Sequence, residues 1–251
     1  MPRLIAPALV ALALCGAPLA ASAQSFSDSQ RGEIETIIKS YLLAHPEVLE
    51  DATNELSRRK AEADAKKHEE TITENAETIY NSPRGVTLGN KDGDVTFVEF
   101  FDYNCGYCKR AMADMLDLLK EDPKLKVVLK EFPVLSEGSV EAAKVAVAVR
   151  MQDPKKYLDF HQKLLGGRGP ADKARAMAAA KDAGLDTAKI EKDLASPEVK
   201  ATIEENLKLA EDMGLNGTPS YVIGKQIVVG AVGLDGLREK IGIARCGKAE
   251  C

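Results

Sequence analysis

The stretch Val95-Thr96-Phe97-Val98-Glu99-Phe100-Phe101-Asp102-Tyr103-Asn104-Cys105-Gly106-Tyr107-Cys108-Lys109 decides how the chain is read. Its first seven residues are β-branched or aromatic apart from Glu99, the composition of a central strand buried on both faces. Two cysteines separated by two residues follow. Beyond them Met112, Met115, Leu116 and Leu119 recur on one face of a helix expected from about Lys109 to Lys120, which Asp122-Pro123 ends. A strand that runs into a helix through this motif puts Cys105 at the helix N-terminus, where unpaired N–H groups and the macrodipole favour negative charge. The thiolate is the nucleophilic form of cysteine, so Cys105 is expected to be reactive. Cys108, one turn on, faces inward as the resolving thiol, and Gly106 and Tyr107 complete the redox motif. Two other uses of such a pair stand beside this one: half of a zinc site, or a structural disulfide. Zinc needs four ligands, and His45, His68 and His161 form no ligand-like cluster. Neither a metal site nor a cofactor is expected.

Downstream, Leu125 to Phe132 is a second strand. From about Val140 to Gly214 the chain is helical, split at Asp153-Pro154, Gly166 to Pro170, Gly184 and Ser196-Pro197. Thr218-Pro219 then precedes a strand over Ser220 to Ile223, a turn at Gly224-Lys225, a strand over Gln226 to Gly230, and a helix near Leu234 to Ile243. An X-Pro bond between a helix end and a strand is a candidate cis bond. Cys246 and Cys251 lie in a polar tail; four intervening residues allow a local structural disulfide, with free thiols for metal or redox relay as the alternative.

Upstream, Ile34, Ile37, Ile38, Tyr41 and Leu42 recur at helical spacing over Asp28 to Ala44, with Ser27 or Asp28 as cap. His45-Pro46 breaks that helix, and a second is expected from Pro46 to Tyr80. Val48, Leu49, Ala52 and Leu56 begin it apolar, but Ser57 to Glu70 carries nine charges in 14 residues. A helix polar all round is not core; at about 1.5 Å per residue the whole would span roughly 50 Å as a solvated stalk. The apolar hairpin at its start is too small to fold alone. It packs on the main domain or self-associates with other copies, and the charged stalk favours self-association. Asn81 to Gly85 reads as a linker. At the N-terminus, Arg3, the apolar run Leu4 to Leu14 and Ala21-Ser22-Ala23 have the features of a secretory signal peptide over residues 1–23, too short to span a membrane. Its removal discards Cys15 and leaves four cysteines in an oxidising compartment. No membrane insertion is expected.

The chain has 251 residues, a formal net charge of −5, 5% aromatic residues and no Trp. A mildly acidic, aromatic-poor protein lacks the basic face and stacking platform of nucleic-acid binding, so no nucleic-acid partner is expected. Five cysteines in this length are far too few for a disulfide scaffold.

Phe100 to Lys109, the helical insert and Gly217-Thr218-Pro219-Ser220 together resemble the DsbA-like branch of the thioredoxin superfamily over about residues 85–245. With its N-terminal helical extension the chain is most similar to the suppressor-of-copper-sensitivity C proteins. The resemblance implies an α/β thioredoxin fold with a helical insertion at about 140–214, organised as a helical oligomerisation arm and stalk at 24–81 and a catalytic domain at 82–251. It implies catalytic Cys105, resolving Cys108, a groove shaped by Thr218 and a cis Pro219, and Glu99 as a buried acid that shuttles the proton of Cys108; a strand-edge salt bridge is the plainer role for Glu99. Lys130, on the neighbouring strand, is the candidate partner of Glu99.

Gly106-Tyr107 departs from the Pro-His of strongly oxidising relatives. Tyr107 cannot supply a positive charge to the thiolate, and a less stabilised thiolate means a less oxidising couple. Together with Thr218 this favours a disulfide isomerase or reductase acting on misfolded or disulfide-containing secreted proteins in the periplasm. The resemblance further implies a homotrimer and a membrane thiol reductase that keeps the pair reduced. A dithiol oxidase, a copper(I)-binding protein and a non-catalytic chaperone are the competing readings.

Overall fold

The computed structural model describes residues 26–251; the expected leader over 1–23, with Cys15, lies outside the described residues. The chain divides into two compact units at Arg58 and Arg59.

The first unit holds α1 (Asp28–Ala44) and the start of α2 (Glu47–Glu74). Ser27 caps α1 in a reciprocal box with Gln30: Ser27 Oγ accepts from the Gln30 N–H at 3.3 Å, and Gln30 Oε1 accepts from the Ser27 N–H at 2.9 Å. The helix ends before Pro46, as the backbone restriction ahead of proline demands. No residue of α1 is buried. Ile37, Ile38, Tyr41 and Leu43, with Leu49 and Leu56 of α2, remain more than half exposed.

In the second unit, the single helix expected from Pro46 to Tyr80 is two. α2 ends at Glu74, and α3 (Ala76–Tyr80) begins after Asn75, whose side-chain amide donates to the Thr71 carbonyl at 2.9 Å. Such a side chain competes with the helical ladder. Ile72 and Ile79, on either side of the break, are fully buried with Val98, Phe100, Val128 and Leu209. Residues 72–80 therefore share the core of the sheet, and the boundary expected after Asn81 falls inside this unit.

The sheet has the order β1-β3-β2-β4-β5. β2 (Val95–Phe101) is central, parallel to β3 (Leu125–Glu131) and antiparallel to β4 (Ser220–Ile223), which pairs with β5 (Gln226–Val229). β1 (Val86–Gly89), to which the sequence gives no strand signal, follows directly on the linker of Asn81 to Gly85 and forms an edge antiparallel to β3. α4 (Gly106–Glu121) connects β2 to β3, and α10 (Gly233–Cys246) closes the chain.

Alternation along β2 divides its side chains between two cores. Phe97 and Phe101 join Met115 and Leu118 of α4, whereas Val98 and Phe100 join Ile79 and Leu209. The register pairs Glu99 with Leu129 and Phe100 with Lys130. Glu99 thus shares the α4 face, and Lys130 the opposite one. The expected Glu99–Lys130 pair does not form; Lys130 Nζ lies 3.7 Å from Glu205 Oε1 instead. Between β3 and β4 the insert runs α5 (Glu137–Gln152), a 3₁₀ turn (Pro154–Lys156), α6 (Tyr157–Gly166), α7 (Lys173–Asp182), α8 (Thr187–Asp193) and α9 (Pro197–Asp212). α5 is its spine, with every residue from Val145 to Val149 buried.

Burial pushes the Lys130 ammonium down to about 8. Glu205 has further partners in Arg84, at 2.8 Å, and Ser82. Replacing Lys130 by Met is expected to leave the urea unfolding midpoint unchanged or raised, because a buried ion pair is readily matched by an apolar isostere. Glu205→Ala strands the lysine and is expected to cost on the order of 3–5 kcal/mol. Equal losses from the two substitutions would contradict this account.

Candidate active site

The loop that leaves β2 is held by the buried carboxylate of Asp102. Its Oδ1 accepts from the Asn104 N–H at 2.8 Å, and its Oδ2 from the Val134 and Leu135 N–H groups at 2.9 and 3.0 Å. The Asp102 carbonyl accepts from the Cys105 N–H at 3.0 Å. Asn104 ties this loop to the insert: its Oδ1 accepts from the Ala171 N–H at 2.6 Å, and its Nδ2 donates to the Ala171 carbonyl at 2.8 Å. Neither residue had a role in the sequence reading. Each acts on loops far away in sequence, which no local spacing reveals.

Cys105 is the N-cap of α4, and its Sγ accepts from the Cys108 N–H at 3.2 Å. The same sulfur lies 3.2 Å from the Thr218 carbonyl oxygen, to which the thiol form donates. Both cysteines are free thiols; Cys105 is 6% exposed and Cys108 fully buried. A hydrogen bond from the Cys108 thiol, set against burial and assisted by the N–H groups of the first turn, holds Cys105 down at about 6. That bond and burial push Cys108 far above the ordinary thiol range. The two thiols are thereby split into a nucleophile ionised at neutral pH and a partner that keeps its proton.

The Thr218–Pro219 bond is cis. Thr218 presents its main-chain carbonyl to Cys105, while its buried hydroxyl has no hydrogen-bond partner among the described residues. The Pro219 carbonyl accepts from the Gly230 N–H at 2.8 Å, which anchors the loop at the end of β5. Glu99 is 3% exposed on the α4 face of the sheet, where burial first and the negative charge of Cys105 second raise its carboxyl to about 8. Tyr107 is 59% exposed, with the Arg110 guanidinium 4.4 Å from its ring centroid. A Cβ added at Gly106 would meet no heavy atom within 4 Å.

Behind Phe101 lies a buried polar cluster that the sequence did not announce. The Glu131 carboxyl accepts from the Tyr157 hydroxyl, and the Tyr103 hydroxyl lies 3.3 Å from both the Tyr157 hydroxyl and His161 Nδ1. Burial pushes His161 down to about 3, so its ring is neutral, and raises Glu131 to about 8. Beside Cys105 opens a cleft of about 460 Å³, walled by Lys109 of α4 and by Arg168 and its neighbours between α6 and α7.

Cys246 and Cys251 form a disulfide with Cα atoms 6.1 Å apart, so neither is a free thiol. The Cys251 sulfur lies 3.3 Å from the Gly242 carbonyl of α10. Among the described residues no group of three or more His, Cys, Asp or Glu is placed to hold a metal ion, and no helix is long and apolar enough to cross a membrane.

Residues 96–242 match the family model of the DSBA-like thioredoxin domain, and residues 30–63 that of the copper resistance protein ScsC N-terminal domain. A thioredoxin-like oxidoreductase from Silicibacter pomeroyi DSS-3 is 43% identical, with a TM-score of 0.65 over 67% of this chain and 96% of that one. ScsC from Proteus mirabilis, in a transitional conformation, is 30% identical with a TM-score of 0.65 over 88% of this chain and 99% of its own. The thiol-disulfide exchange protein α-DsbA2 from Wolbachia pipientis is 30% identical with a TM-score of 0.67, covering 71% and 96%.

Alkylation of the reduced protein by iodoacetamide tests the split between the thiols. The rate follows the thiolate fraction, so it is expected to rise with pH around a midpoint near 6 and level off by about pH 7.5, with mass spectrometry placing the label on Cys105 alone. A midpoint in the ordinary thiol range, or label on Cys108, would contradict the geometry.

Proposed function

The chain belongs to the DSBA-like thioredoxin domain family of thiol–disulfide oxidoreductases, and from this we propose that it acts on the disulfides of secreted client proteins in the periplasm, as an isomerase and reductase. The observation that carries the reading is the unequal pair at the start of α4: Cys105 held at about 6 and Cys108 pushed far up. The Cys105 thiolate attacks one sulfur of a client disulfide. That bond breaks, a mixed disulfide forms, and the second client sulfur leaves with the electron pair. In isomerisation a client thiolate then attacks the mixed disulfide, restoring the Cys105 thiolate with no net oxidation. In reduction Cys108 gives up its proton and attacks the Cys105 sulfur. The client leaves as a thiol, and the protein holds a Cys105–Cys108 disulfide. A membrane thiol reductase returns that disulfide to the dithiol by two-electron reduction.

Glu99 is suited to take the proton of Cys108. While Cys105 is a thiolate, its charge helps keep the Glu99 carboxyl protonated. Forming the mixed disulfide removes that charge, so the carboxyl ionises more readily at the step where a base is needed. The cis Pro219 and Thr218 line the approach to Cys105, and the Thr218 carbonyl at 3.2 Å from Sγ limits where a client sulfur can enter.

The isomerase direction is supported by Tyr107, which brings no charge to the thiolate, and by the match of residues 30–63 to the ScsC N-terminal domain. The apolar side chains left exposed on α1 and early α2 are what an assembly through that segment would cover, and a trimer is the proposed assembly. The N-terminal residues 1–23, with the composition of a leader, support the periplasm. A second reading, copper(I) capture by the Cys105 and Cys108 thiolates, is favoured by the copper-resistance description of the matching N-terminal family. Copper titration of the reduced protein decides it, since binding that survives loss of both thiols would remove it.

Refolding of scrambled ribonuclease is the main test. The wild type is expected to recover activity and Cys105→Ala to recover none; a wild type that oxidises reduced ribonuclease without reshuffling wrong pairs would make the protein an oxidase. Glu99→Gln is expected to slow release of the client from the mixed disulfide by on the order of a hundredfold, leaving the first attack fast. Removing residues 24–58, which stops short of buried Ile72 and Ile79, is expected to give a monomer by light scattering that reduces disulfides but no longer isomerises them. A full-length protein that is itself monomeric would overturn the assembly.

A further inference from the structure

The cleft beside Cys105 is walled on one side by the first turn of α4 and on the other by the loop between α6 and α7. The charged side chains in its lining are Lys109 and Arg168; the lining contains no Asp or Glu. Lys109 Nζ donates to the Gly167 carbonyl at 2.8 Å, which spends one of its three hydrogens and closes no ion pair. Arg168 is exposed, and among the described residues its guanidinium makes no hydrogen bond or salt bridge. The loop it stands on is fixed at both ends. Lys109 holds Gly167, Arg175 donates to the carbonyls of Gly169 and Pro170, and the two-point clamp of Asn104 on Ala171 ties it to the residue before the nucleophile. Two nearby cations of the insert are neutralised locally, Lys163 by Asp159 and Lys173 by Glu191. In a chain of net charge −5, two cations line the cleft that Cys105 also lines, with no carboxylate in that lining.

We infer that this cleft receives a carboxylate carried next to the disulfide under attack, and that Lys109 and Arg168 make the protein prefer disulfides flanked by acidic groups. The inference rests on the proposed attack of Cys105 on client disulfides and names a substrate class for it. An acidic client would otherwise be repelled by the Cys105 thiolate, and two cations on the approach turn that repulsion into attraction. The carboxylate has two sources, an Asp or Glu in a client polypeptide or a small carboxylated disulfide such as oxidised glutathione, which the test separates. In the step that reads it out, the Cys105 thiolate attacks the cysteine sulfur of a peptide joined to 2-thiopyridine. The peptide–pyridyl S–S bond breaks, the peptide–Cys105 disulfide forms, and thiopyridone leaves with the electron pair and takes a proton from water.

Reduced full-length protein is mixed in stopped flow with three such peptides, whose cysteine is flanked by two Asp, two Ser or two Lys, and release of thiopyridone is followed by absorbance. The Asp peptide is expected to react about fivefold faster than the Lys peptide at about 0.05 M salt, the effect of one or two solvent-exposed ion contacts. The ratio is expected to fall toward one at about 0.5 M salt. Arg168→Glu is expected to collapse or invert the ratio. A wild-type ratio of one, or a ratio that Arg168→Glu leaves unchanged, overturns the proposal. Oxidised glutathione is run in parallel. A slowing by Arg168→Glu for glutathione as well as for the Asp peptide assigns the cleft to carboxylates of either source; a slowing for the peptide alone assigns it to polypeptide clients. No thiopyridone from any peptide would overturn the oxidoreductase reading beneath the proposal, a result distinct from equal rates.

Discussion

The chemistry of this molecule depends on one sulfur standing where a helix cap usually places an oxygen. Ser, Thr, Asp and Asn are the common N-caps because a side-chain oxygen accepts an otherwise unpaired N–H of the first turn. Here Cys105 Sγ takes that place, accepting from the Cys108 N–H. The bond that starts α4 is therefore also a bond that favours the thiolate, and it engages the residue whose own thiol is the second redox partner. Everything around it serves to keep that sulfur in position: Asp102 gathers the N–H groups of two loops, Asn104 fastens the loop to the insert, and the Pro219 loop is anchored at the end of β5.

The parts of the fold legible in the sequence are those set by near neighbours. β2 announces itself by an apolar run, α4 by its periodic Met and Leu side chains, the breaks of the insert by Pro and Gly, and α1 by apolar side chains at helical spacing behind a Ser or Asp cap. The two cysteines at the start of α4 belong to this class, since their spacing is itself the signal. What the sequence withheld depends on residues far apart. β1 has four residues and ends in Gly89 at positive φ; only pairing with β3 makes it a strand. The break at Asn75 carries no Pro or Gly to mark it, and its significance lies in Ile72 and Ile79 reaching the sheet.

Lys130 illustrates the same limit at the level of a single pair. Adjacent strands and opposite charges make Glu99 and Lys130 an obvious couple on paper. The parallel register offsets them by one residue, and one residue along a strand is the other face of the sheet. The acid is left near the sulfurs without a cation to neutralise it, so burial and the Cys105 charge govern its proton. The lysine is consigned to the network with Glu205 and Arg84. The loop between α6 and α7 was read only as a helix break, and its Arg168 acquires meaning once folding sets it across from Lys109.

The two positions between the cysteines stand apart from this packing. Gly106 faces open space and Tyr107 projects into solvent, while the residues on either side of them are buried. Side chains can be exchanged at both positions without disturbing a core contact, yet each exchange alters the surroundings of the thiolate. The scaffold thus separates two properties. Foldability is written in the sheet and helices, and the surface beside the sulfur in two positions that those elements do not pack against. An exchange at either position would change the surface presented beside the Cys105 sulfur while leaving the packing of the sheet and helices as it stands.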